Sequence, residues 1–87
     1  MNINKIKKEL IDHLKTKMVF INGDEKNLQI TAIHKKFNGI NQVKRQQIIY
    51  KPISKYILEN KIHSVSIKTY TPTEWNNINL LHKKNKK

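Results

Sequence analysis

The chain has 87 residues, 18 Lys and Arg against 6 Asp and Glu, a formal net charge of +12 and no cysteine. A chain this short holds one modest core, and the missing thiols exclude disulfide staples, thiolate metal sites and a cysteine nucleophile. Its apolar runs are too short for a transmembrane helix, and "MNINKIKKEL" has no apolar leader core, so a soluble cytoplasmic protein with no membrane role is expected.

Ile3, Ile6, Leu10 and Leu14 recur at three- and four-residue steps, which predicts an amphipathic helix over 3–15 with Lys5, Lys8, Glu9 and Asp12 toward water. "MVFINGDEKNLQITAI" then reads as two strands around a turn, at about 17–22 and about 27–34. Asn22-Gly23-Asp24 marks the turn because Gly and Asn tolerate positive φ. Leu28, Ile30 and Ala32 share one face of the second strand. "FNGINQ" reads as an irregular turn or a 3₁₀ segment.

Helical spacing returns at Val43, Ile49, Ile53, Tyr56 and Ile57, with Asn60 as the stop. Pro52 falls inside this helix, so a kink or break is expected there. Over 62–70, His63, Val65 and Ile67 alternate with Ser64, Ser66 and Lys68, which predicts a strand with His63 on its buried face. In "TPTEW", Thr71 reads as an N-cap, Pro72 as the first helical residue and Glu74 as the third, a capping box, with Trp75 folding back on the sheet edge. Beyond Leu81 the chain is polar and is read as a basic flexible tail over 82–87, after a single domain over 1–81.

The order is α-β-β-α-β-α. A helix between the second and third strands requires a crossover and parallel pairing. The fold class is α+β, a three-stranded mixed sheet with helices on one face.

The charge has two readings. One is a nucleic-acid or acidic-partner surface. The other is compositional drift: 17 Lys against one Arg, with 14 Ile and 11 Asn, are all residues of A/T-rich codons. The scarcity of Arg favours drift, because Arg supplies most bidentate base and phosphate contacts. No Gly-x-x-Gly clamp for nucleic acid exists, since Gly23 and Gly39 lie in different loops. The dispersed carboxylates form no catalytic constellation, so neither an enzyme nor a small-molecule substrate is indicated. His13, His34 and His82 lack metal-ligand spacing and read as solvated, whereas His63 is open to a structural or a ligand role.

"FNGINQVKRQQIIY" over 37–50, followed by "IHSVSIKTYTPTEW" over 62–75, resembles the BolA family, with wording like its YrbA/IbaG branch. The matching positions are Phe37 and Gly39, Arg45, Ile49-Tyr50 and Ile62-His63-Ser64-Val65. The resemblance implies a fold similar to a type II KH domain. It also implies a non-enzymatic adaptor that pairs with a monothiol glutaredoxin and shares a [2Fe-2S] cluster with it and glutathione, in cluster trafficking or in redox and stress regulation. His63 is the implied ligand, and Lys44, Arg45 and Tyr50 are the implied partner-binding residues. Many members carry a second ligand, His or Cys, in the loop between the first two strands. Here that loop is "NGDEKN", and Asn27 stands near the ligand position. The alternative is a DNA-binding transcriptional regulator on the same fold.

Overall fold

The structure is a computed structural model that describes residues 2–85, with side chains described over 2–80. It contains α1 (Ile3–Leu14), β1 (Val19–Gly23), β2 (Leu28–Ile33), a 3₁₀ turn (Lys35–Phe37), α2 (Gln42–Leu58), β3 (Val65–Tyr70) and α3 (Pro72–Asn85). The sheet order is β1-β2-β3. β1 pairs antiparallel with β2 from Val19↔Ala32 to Gly23↔Leu28, and β3 pairs parallel with β2 from Leu28↔Val65 to Ile33↔Tyr70. This is the expected mixed α+β sheet.

The core forms where the apolar stripe of α1 (Ile6, Leu10, Leu14) meets Ile49, Ile53 and Tyr56 of α2 over Val19, Leu28, Ile30 and Ala32. Each fully buried aliphatic side chain contributes about 1.5–3 kcal/mol. Helix starts are capped by asparagine: Asn2 accepts from the Lys5 N–H and Asn41 from the Lys44 N–H. Lys15, in the left-handed region at φ 61°, closes α1 with an N–H bond to the Ile11 carbonyl.

α2 runs unbroken through Pro52, so the expected break does not occur. Proline removes one backbone donor at a cost of about 3 kcal/mol. Burial of Ile49, Ile53 and Tyr56 on either side holds the helix across it. Asn60, at φ 58°, ends the helix as expected, one residue past the cap Glu59.

Trp75, in the first turn of α3, packs on Phe20 and Tyr70 at ring separations of 6.0 and 5.5 Å. Those residues alternate with Val19 and Thr69, which are buried toward α1 and α2, so Trp75 covers the outer side of the sheet. α3 is described through Asn85, so the backbone over 82–85 is helical where a tail was expected; Lys86 and Lys87 lie outside the described residues. Lysines are good helix formers and sit favourably at a helix C-terminus.

Candidate functional site

β3 begins at Val65 and not at 62, and His63 is exposed in the connection before it. The predicted buried place for His63 is therefore corrected. β2 starts at Leu28, so no strand residue is available to pair with position 63. The chain turns tightly there instead: the Lys61 and Ile62 N–H groups both donate to the Tyr56 carbonyl, and Ile62 enters the core. The His63 N–H donates to the Glu25 carbonyl at 2.8 Å, and the Leu28 N–H to the Ser64 carbonyl at 2.9 Å. These bonds fasten His63 beside the 24–27 hairpin tip while its imidazole stays in solvent.

The tip is itself well specified. The Asp24 carboxylate accepts from the Lys26 and Asn27 N–H groups at 3.0 and 3.1 Å. Gly23 has φ +93°, and a Cβ there would run into the Asn27 carbonyl. Asn27 is exposed, one step before the Leu28↔Val65 pair, so the register brings it alongside Ser64. The structure thus brings His63, Glu25 and Asn27 to one end of the sheet. Sequence reasoning found His63 and Asn27 but missed Glu25, whose part is played by a backbone carbonyl and leaves no side-chain signature.

Arg45 lies at the opposite end and is 5% exposed. Its guanidinium donates to Glu74 at 2.8 and 3.5 Å and to the Ile40 carbonyl at 2.7 Å, and it lies 5.8 Å from the centre of the Phe37 ring. The side chain is thus nearly buried, with three of its five N–H donors bonded inside the fold, and its first role is to tie α2 to the start of α3. Glu74 also accepts from the Thr71 N–H at 2.8 Å while Thr71 Oγ1 accepts from the Glu74 N–H, completing the capping box. These bonds, the Arg45 pair first, hold the Glu74 carboxyl below its ordinary range. Lys44 and Tyr50 are exposed on α2, open to a partner.

His34 is also at this end and is 8% exposed, which corrects its solvated reading. Its Nδ1 accepts from the Lys36 N–H at 3.0 Å and caps the 3₁₀ turn, and its backbone N–H donates to Tyr70. Parallel pairing puts His34 and His63 at opposite ends of the sheet, so they do not meet. His13 is exposed as expected, and the His82 side chain lies outside the described residues.

A second polar tie joins α1 to α2. The Tyr56 hydroxyl donates to Glu9 at 2.8 Å, and Lys55 Nζ lies 3.4 Å from the same carboxylate. The hydrogen bond from Tyr56 lowers the Glu9 pKa, and burial with that bond pushes the Tyr56 hydroxyl up to about 12.

Among the described residues no three His, Cys, Asp or Glu side chains gather as a metal site. At the exposed end the nitrogen donor is the His63 imidazole, beside the Asp24 and Glu25 carboxylates of the tip, and a single imidazole fits one ligand of a shared centre. Nor is any described helix long and apolar enough to cross a membrane.

The profile of the family described as BolA-like protein matches residues 2–74. The chain belongs to the BolA family. It is 43% identical over 75 residues to the acid stress protein IbaG of Escherichia coli K12, an alignment covering 86% of this chain and 89% of that one. A protein of Buchnera aphidicola subsp. Baizongia pistaciae is 45% identical over 74 residues, covering 85% and 94% of the two chains. Among solved structures, BolA1 from Arabidopsis thaliana superimposes with a TM-score of 0.71 at 26% identity, covering 82% of this chain and 92% of that one. A bolA homologue from Coxiella burnetii has the same fold, with a TM-score of 0.71 at 23% identity over 87% and 97% of the chains.

Proposed function

We propose that this BolA protein is a non-catalytic adaptor that pairs with a monothiol glutaredoxin and lends His63 to a bridging [2Fe-2S] cluster. The observation that carries this reading is the exposed imidazole of His63 on a backbone pinned to the 24–27 tip. A two-iron cluster takes about four protein or thiol ligands. A chain with no cysteine supplies at most a minority of them, and the remaining thiolates fall to the glutaredoxin and glutathione. The cluster, when bound, supplies a transferable redox centre. Imidazole in place of thiolate raises the potential of such centres, and the ligating nitrogen must be free of its proton, which couples binding to pH. The similarity to an acid stress protein supports a setting in stress response.

Anaerobic reconstitution of the two proteins with iron, sulfide and glutathione tests the reading. The mixture should give a visible absorption and circular dichroism spectrum distinct from that of the glutaredoxin alone. His63→Ala should abolish the difference with the far-ultraviolet spectrum intact, and an unchanged cluster spectrum in this variant overturns the ligand assignment.

The +12 charge, with Lys44, Lys51 and Lys55 exposed on α2, supports a second reading as a DNA-binding regulator. It requires steep salt dependence together with preference among duplex sequences.

A further inference from the structure

β3 is an open edge of the sheet. The carbonyls of Ser64, just before the strand, and of Tyr70 at its end accept from Leu28 and His34, so the even-numbered positions direct their backbone groups to β2. Backbone direction alternates along a strand. The N–H and C=O groups of Val65, Ile67 and Thr69 therefore point away from the sheet. The Ile67 carbonyl takes the Gln46 side-chain amide at 3.3 Å, and this is the one side-chain bond recorded to these outward groups among the described residues. Edge strands are ordinarily blunted by lysine, proline, a bulge, an inward charge or a covering element. β3 has no proline or bulge, and its one lysine, Lys68, lies on the outer side with Tyr70, away from the groove.

α2 runs beside this edge and leaves a groove of about 610 Å³ lined by Val43, Gln46, Tyr50, Lys51, Val65 and Ile67. Val43 is 67% and Tyr50 43% exposed, facing two half-buried aliphatic residues of β3. The groove is apolar and shallow, and it runs alongside a row of outward backbone groups of which the Ile67 carbonyl alone takes a side-chain bond among the described residues. No carboxylate lines it, and Lys51 stands in its wall.

Charge selects the occupant. A second copy of this chain would bring another +12 and another Lys51 to a self-complementary interface. A nucleic acid offers the right charge but no ladder of amide groups and no alternating aliphatic side chains. An extended protein segment with alternating acidic and aliphatic residues offers all three. We infer that the β3 edge and the α2 groove bind such a segment of a protein partner by strand addition. Its backbone pairs with Val65, Ile67 and Thr69, its aliphatic side chains enter the groove, and its carboxylates, on the opposite face of the added strand, lie beside Lys68. The inference does not depend on His63 or on a cluster.

The test uses the full chain, ¹⁵N-labelled, titrated with acetyl-EVEIEVE-amide at 150 mM salt. The largest amide shifts are expected at Val65, Ile67 and Thr69, with Kd on the order of 100 μM. N-methylating the peptide amides on one edge should weaken binding at least tenfold, because it removes ladder donors and leaves the charge unchanged. Val43→Asp adds a carboxylate to the groove at an exposed site in the first turn of α2, where an acid suits the helix, and should weaken binding at least tenfold. His63→Ala should leave peptide affinity unchanged, which separates this result from the fate of the cluster reading. Shifts centred elsewhere, indifference to N-methylation, tighter displacement by a 12-base-pair duplex, or sedimentation as a β3-paired dimer would each overturn the proposal.

Discussion

The two ends of the sheet handle polar residues in opposite ways. At the end where β2 and β3 finish, Arg45, Glu74, Thr71 and His34 are buried or half-buried and bonded to one another or to nearby backbone. At the end where those strands begin, His63 and Asn27 keep their side chains in solvent, and backbone bonds hold the segment in place. Where polar side chains secure the fold they are withdrawn from solvent, and where backbone bonds and the Asp24 cap secure it His63 and Asn27 remain exposed.

Substitutions at the two ends should therefore separate stability from partner chemistry. The largest loss of stability is expected for Arg45→Ala, about 3 kcal/mol by urea denaturation, because it deletes a buried side chain that bonds the Ile40 carbonyl and the half-exposed Glu74 carboxylate and packs on Phe37. Gly23→Ala should cost about 2 kcal/mol, since it combines a left-handed φ with a collision at the Asn27 carbonyl. It is also the stability mutant expected to disturb the His63 end, visible as shifted Glu25 and His63 amide resonances. Tyr56→Phe removes the bond to Glu9 and should cost about 1 kcal/mol. Ultraviolet titration of the wild type should show one tyrosine ionising near pH 12. His63→Ala should change stability by less than about 0.5 kcal/mol; a larger loss would mean that the exposed end is also structural.

Acid sharpens the same contrast. Glu74 and Glu9 have lowered pKa values in the folded state. Their stabilisation is present above the ordinary carboxylate range and is lost as pH falls through their folded values. Urea midpoints should therefore drop below about pH 4.5, and Glu74→Gln should flatten that dependence while His63→Ala leaves it unaltered.

Much of this was legible in the chain because it is local. Apolar spacing placed α1 and α2, the Asn22-Gly23-Asp24 signal placed the hairpin, and the Thr71–Glu74 spacing placed the start of α3. The departures share one cause. Alternation puts His63 on a buried face and the lack of metal-ligand spacing leaves His34 solvated, but each, like the engagement of Arg45, is decided by a contact between segments distant in sequence. His63 follows the Glu25 carbonyl, His34 is enclosed where β2 ends, and Arg45 reaches Glu74 across 29 residues. Pro52 was read from its local cost alone, and tertiary burial outweighs that cost.

Sequence by itself determined the order of elements, the mixed pairing and the BolA family, because periodicity, turn chemistry and motif spacing act over short stretches of chain. Only the tertiary structure decided which polar residues are engaged and which are free. That depends on strand register: starting β2 at Leu28 leaves His63 without a strand partner and exposes it, and pairing β3 parallel to β2 carries Glu74 to the end where Arg45 lies buried.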